Sequence, residues 1–304
     1  MPFDEYIKTY TDSLRDVIKE TQEKYPEEST MLFEFIDNWI DLFPKDEEKS
    51  TEARNSLSGI ILINSWKLMN WISYEILVGA YLEAIRNLRF VFEGCVFAII
   101  VEDAIEGAVF DKWGTLGDLF LKGEIFRLWE ECKKEQVYKI GKVDQNKVSK
   151  IVTDFVNHNM DPLRKDDTTE YIEVYTKILL DARLYLSTTK MIEYCKTFLR
   201  IDKNDTEQLK LVWHEMSSYI HFSHKYLHVI IEDPEFIFVE KVNDELLKSS
   251  VAFYLQTLDF LYAVLFWRLP IMREQIISMN EWWKSNFKKR FELTEKVIKK
   301  IKEE

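Results

Sequence analysis

Apolar residues recur at helical spacing along most of this chain. Phe3, Tyr6, Ile7, Tyr10, Leu14, Val17 and Ile18 mark an amphipathic helix over 3–25, and Pro26 breaks it. Ser29 or Thr30 is placed to cap a second helix carrying Met31, Leu32, Phe35, Ile36, Trp39, Ile40 and Phe43, which ends at Pro44 and the charged run 45–49. From Thr51 to Ala104 the helical pattern continues with one interruption, at Ser73 or Gly79. The half that follows is apolar on most sides, the pattern of a helix at the centre of a bundle.

Residues 105–142 hold Gly107, Gly114, Gly117, Gly123 and Gly141 and are less regular, with short helices near 116–121 and 124–137. Asp144 is a good N-cap for 145–157. Residues 157–167, with Pro162, read as a loop, and Thr168 or Thr169 starts a helix to about Leu199. Asp205 caps the next, to about Ile231, where Asp233 and Pro234 stop it. The segment near 235–242 alternates enough to be extended. Asn243 caps a helix to Trp267, Pro270 ends or kinks it, and a final helix runs to the C-terminus.

The fold class that follows is all-α: a multi-helix bundle with long central helices and at most one short isolated strand or hairpin near 235–242. Three parts are expected: an N-terminal helical hairpin over 1–50 packed on the body, a main bundle over 51–270, and a basic C-terminal helix over 271–304.

Composition sharpens this. Among 304 residues there are only 8 Gly and 6 Pro, too few turn signals for a sheet protein of this length. Cys95, Cys132 and Cys195 are far apart and odd in number, so they imply neither a disulfide framework nor a zinc site. The N-terminus lacks a basic segment followed by an apolar one, so a cytoplasmic location is expected. Two apolar runs, 90–101, which is short and contains Glu93, and the longer 251–267, which contains Gln256 and Asp259, are read as core helices, with no membrane partner. A formal net charge of −12 argues against a general affinity for nucleic-acid phosphates but leaves room for a local basic pocket.

Two polar stripes carry the candidate chemistry. On one uninterrupted helix, His214, Ser217, His221, His224 and His228 would share an arc of about 80° beside an apolar face. Three readings stand together: a solvated or partly buried face, a catalytic or ligand-binding face using imidazole near neutral pH, and a metal site from i, i+3 or i, i+4 histidine pairs. The last lacks both an HExxH glutamate and a second ligand cluster. The other stripe is Glu83, Arg86, Arg89 and Glu93, on one side of an otherwise apolar helix. It is either a salt-bridge ladder, Glu83 to Arg86 and Arg89 to Glu93, or a polar pocket whose arginines bind an anion. Phosphate-loop, dinucleotide, nucleophile-elbow, kinase and deaminase motifs are absent.

The helix EAIRNLRFVFE followed by the later MSSYIHFSHKYLH resembles the HEPN superfamily, more closely archaeal and bacterial relatives with an EAxRxLRxxxE helix and a later LSxYxH helix. The matching residues are Glu83, Arg86, Arg89 and Glu93, then Ser217, Tyr219 and His221; Met216 stands in the place of the pattern's Leu. The resemblance covers about 25 residues as motif, within an arrangement over 57–267.

It implies a helical bundle, often dimeric, and the metal-independent ribonuclease chemistry of defence systems, with no cofactor. His221 would be acid/base for the 2′-hydroxyl, Arg86 or Arg89 would stabilise the phosphorane charge, and Glu93 would orient its neighbours. Ser217, His214 and His224 would contact substrate. The family motif sets an arginine ahead of its histidine with four to six residues between them; here that window holds His214, Glu215 and Met216. Either the other helix supplies the arginine or the chain does not cleave RNA. The expectation is a HEPN-like protein binding or cleaving RNA, in defence or stress response, and a homodimer. The alternative is a non-catalytic interaction or dimerisation module, for which nine tryptophans and twenty phenylalanines leave ample surface.

Overall fold

The computed structural model describes residues 3–38, 57–105, 124–139, 142–159, 168–180, 187–220, 224–232 and 241–303. Among them are thirteen α-helices: α1 (Phe3–Lys24), α2 (Pro26–Asn38), α3 (Leu57–Leu77), α4 (Tyr81–Ile105), α5 (Glu124–Lys134), α6 (Gln145–Asn159), α7 (Thr168–Leu180), α8 (Thr188–Phe198), α9 (Lys203–Ile220), α10 (His224–Glu232), α11 (Asp244–Arg268), α12 (Arg273–Phe287) and α13 (Glu292–Lys302). A single 3-10 turn, Pro270–Met272, joins α11 to α12. The protein is an all-α multi-helix bundle. The one β pairing among the described residues, Tyr138 with Val143 and Lys139 with Lys142, is a two-residue antiparallel ladder between α5 and α6. The extended segment expected near 235–242 falls almost wholly outside the described residues, and Lys241 and Val242 are not in a strand.

α4 and α11 are the central helices. α4 packs against α3, α8, α9 and α11, and α11 also packs against α3, α12 and α13. One large apolar cluster joins α2–α4, α8, α9 and α11–α13. A smaller one, with Leu128, Val148, Val152, Val156 and Tyr175, joins α5, α6 and α7. α11 is the one described helix long and apolar enough to cross a membrane by length and composition, yet 72% of its most apolar stretch is buried inside the protein. Its Asp259 has a structural job. Its carboxylate accepts from the backbone N–H of Leu293 (3.1 Å) and Thr294 (2.8 Å) and from the Thr294 hydroxyl (2.7 Å). A neighbouring helix thereby supplies the cap of α13, whose own N-terminal residue Phe291 has none to offer.

Several helix ends follow the sequence signals. Asn243 accepts from the Leu246 N–H at 3.0 Å and Asp144 from the Lys147 N–H at 3.2 Å, each opening its helix as expected. Gly79, at φ +85°, makes the turn between α3 and α4, and a Cβ there would meet the Lys241 carbonyl oxygen at 2.9 Å. Ser73 lies within α3 and donates to the Tyr254 hydroxyl at 2.9 Å.

Other ends differ. Pro26 opens α2 at its first turn, where its missing N–H costs nothing, while Ser29 and Thr30 bond back to the Tyr25 and Pro26 carbonyls inside the helix. Asp202, not Asp205, caps α9. Its carboxylate accepts from the Asp205 N–H (2.9 Å), and the Asp205 carboxylate accepts from the Asp202 N–H (3.3 Å), a reciprocal capping box. The helix expected from 168 to 199 is two, α7 and α8. The single C-terminal helix is also two, because Lys288 takes a left-handed conformation at φ 54° and ends α12.

Candidate functional site

The Glu83–Glu93 stripe lies on α4, whose opposite face, including Ala84, Ile85, Leu88, Val91 and Phe92, is wholly buried. The four polar residues do not share one fate. Arg89 and Glu93 face α9 and are tied to it. Arg89 Nε donates to Glu93 Oε1 at 2.9 Å, and the Trp213 indole N–H donates to the same oxygen at 2.9 Å. The Arg89 guanidinium carbon stands 5.1 Å from the centre of the Trp213 ring. Their side chains are 19% and 36% exposed, so the pair is half-buried and clamped between two helices.

Glu83 and Arg86 are exposed, and neither makes an ion pair with a described residue. The ladder weighed from the sequence is therefore half present: Arg89–Glu93 forms and Glu83–Arg86 does not. Both exposed charges act on a third group that the sequence reading missed, Glu75 of α3. Glu75 is buried and accepts from the Trp71 indole N–H at 2.9 Å and from the Asn87 amide at 2.8 Å. Burial raises its pKa; the two hydrogen bonds and Arg86 oppose the rise, and Glu83 adds to it. Spacing offered one clue, since Trp71 and Glu75 stand one helical turn apart.

The histidine stripe needs a larger correction, because the helix expected over 205–231 is two, α9 and α10. Lys225 of α10 bonds the Glu215 carboxylate of α9, and its ammonium lies 5.0 Å from the centre of the Tyr219 ring. Ten residues of straight helix would separate Lys225 from Glu215 by about 15 Å along the axis, so α10 is set back against α9 rather than continuing it. The arc calculated for one helix thus applies only within each part. His214 and Ser217 belong to α9; His224 opens α10, and His228 is exposed on it. His221, the residue assigned the acid/base role, lies outside the described residues.

What the fold does bring together is His214 and the Arg89–Glu93 pair, through Trp213. The His214 ring stands 4.8 Å from the Trp213 ring, edge to face. Ser217 turns its hydroxyl back onto the Trp213 carbonyl at 2.7 Å. Guanidinium, carboxylate, indole and imidazole thus form one row at the α4–α9 contact. Trp213 joins the two stripes, and no periodicity argument singled it out.

The chemistry this row offers is limited by its pairing. Glu93 Oε1 already takes two donors, and Arg89 is neutralised by Glu93. The exposed groups beside the row are the Arg86 cation and the His214 imidazole, suited to an anion and to proton exchange. Among the described residues no three His, Cys, Asp or Glu side chains are grouped as a metal would need. A groove of about 550 Å³ opens between α5 and α6, lined by Leu128, Glu131, Lys150, Asp154 and His158, and contains none of the predicted site residues. Comparison with family models, curated proteins and solved structures finds no match to this chain.

Proposed function

We propose that this chain is a HEPN-like helical protein that binds RNA along the edge where α4 meets α9. The observation carrying this reading is the packing of the Arg/Glu stripe of α4 against the helix that bears His214, through the Arg89–Glu93–Trp213 bridge. In this reading Arg89 and Glu93 position the edge, Arg86 contacts a phosphate, and His214 and Ser217 sit beside the ribose. Cleavage, where it occurs, uses His221 to take the 2′-hydroxyl proton, with Arg86 stabilising the charge that develops on phosphorus.

The test is binding and cleavage of short unstructured RNA by wild type, Arg86→Ala, His214→Ala and His221→Ala, all with EDTA present. Arg86→Ala is expected to weaken binding and reduce the salt slope by about one. His221→Ala is expected to bind but not cut. Failure of the wild type to bind RNA ends this reading; equal cleavage by wild type and His221→Ala ends its catalytic form.

A second reading, a non-catalytic interaction module, is favoured by a different observation: large aromatic side chains stand exposed on the outer face of α3 and α4.

A further inference from the structure

One exposed indole on α3 is fixed from below and flanked by cations. Trp71 is 56% exposed, and Tyr74 beside it 37%. The Trp71 N–H is given to Glu75 at 2.9 Å, and the Asn87 amide of α4 donates to both oxygens of that carboxylate, at 2.8 and 2.9 Å. Buried Glu75 is thus a bracket that sets the orientation of the indole and ties it to α4. A ring held in this way loses little freedom when something covers it.

With its N–H used inside the protein, Trp71 has its ring left to offer. The Tyr74 ring stands 5.4 Å away, tilted by 37°. A base inserted between two rings needs two stacking steps, about 7 Å, so the pair is closed to insertion. A flat ligand lies on the outer face of Trp71 instead.

Charge says which flat ligand. Lys67 stands one turn before Trp71 on α3, and Arg86 of α4 acts electrostatically on Glu75, the group that holds the indole. Both cations are exposed, and neither makes an ion pair with a described residue. Glu83, also exposed and also acting on Glu75, is the opposing charge. Two unpaired cations against one exposed anion make a locally positive spot on a chain of net charge −12. A nucleotide answers both features, because its base stacks on the ring while its phosphate meets a cation. An apolar protein surface would cover the ring but strip water from the cations without pairing them.

We propose that the outer face of Trp71 stacks an unpaired RNA base next to the phosphate that Arg86 holds, which carries the RNA path from α9 across α4 onto α3. This rests on the RNA reading above and narrows it to strands with free bases, since a base stacked within a duplex has no face to give.

The test is fluorescence anisotropy with three end-labelled probes: an unstructured RNA, an abasic strand of the same length, and an RNA duplex. Circular dichroism checks that each variant is folded. Wild type is expected to bind the unstructured RNA most tightly. Trp71→Leu should weaken that binding by about 5- to 150-fold, the worth of one stacked base, and leave the abasic strand and the salt slope unchanged. Trp71→Phe should recover most of the loss. Arg86→Ala should instead weaken both single strands by a similar factor, and Glu83→Gln should tighten both. Wild type that binds RNA equally well with and without bases, or Trp71→Leu that binds unstructured RNA as wild type does, overturns this proposal while the RNA reading stands, and leaves the aromatic face to the interaction module. Wild type that binds none of the probes ends both.

Discussion

Trp66 and Trp71 stand five residues apart on α3 and have opposite fates. Trp66 is 1% exposed; its ring stacks on Tyr262 at 5.4 Å and tilts against Phe35 at 5.0 Å. Trp71 is 56% exposed and uses its N–H to hold Glu75. Residue type and host helix are the same, so neither explains the difference. The covering elements do: α2 and α11 close over the inner face of α3, and the outer face is left to solvent. The same contrast runs along α4, where Arg89 and Glu93 meet Trp213 of α9 and become a brace, while Glu83 and Arg86 point outward. A polar or aromatic side chain becomes structural here when a second helix reaches it.

The sharpest way to break this contrast is to truncate both tryptophans separately. Trp66→Ala is expected to cost about 3–5 kcal/mol in urea unfolding, because it empties a packed aromatic site; a loss near that of Trp71→Ala would mean that the inner face is not the core.

Next in size is a pH effect deep in the bundle. Asp259 is pushed up to about 6, chiefly because its carboxylate is enclosed, against the pull of its hydrogen bonds to Thr294 and Leu293. A raised carboxylate contributes stability that is fully present below its ordinary value and is lost as pH rises through the folded one. Between about pH 4 and pH 6 this group alone should lower stability by roughly 3 kcal/mol. Asp259→Asn should flatten that part of the pH profile. A slope unchanged in the variant would locate the titration elsewhere.

The α4–α9 brace is worth less. Trp213→Phe keeps an aromatic ring and removes the N–H donor, and should cost about 1 kcal/mol; the double-mutant cycle with Glu93→Ala, which removes the acceptor, should show coupling, and additivity would mean that the bond is not formed in solution. The smallest effect on the folded monomer belongs to Trp71→Ala, below about 1 kcal/mol.

Much of the fold was legible in the sequence for local reasons. Few glycines and prolines, apolar residues at helical period, and Asp144, Gly79 and Asn243 at helix ends act within a few residues of chain, so they show in the chain itself. The Arg89–Glu93 pair was visible for the same reason, being one turn apart on one helix. The misplaced boundaries had non-local or atypical causes. Lys288 ends α12 in a left-handed conformation with no glycine to announce it. The split of 205–231 into α9 and α10 interrupts a pattern that reads as continuous. Asp202 and Asp205 are both plausible caps, and only their reciprocal bonds decide between them.

The chain by itself determined that this protein is helical, which residues share a side of each helix, and where charge interrupts an apolar face. Hydrogen bonds and side-chain period within a helix span only three or four residues, so sequence carries them. Tertiary structure decided which sides are covered: that Trp66 is core and Trp71 surface, that Asp259 closes a helix thirty-three residues further on, at Glu292, and that Trp213 joins Glu93 to His214. Those outcomes depend on which helix packs over which, and that is a property of the whole chain's burial of apolar surface, not of any local run of residues.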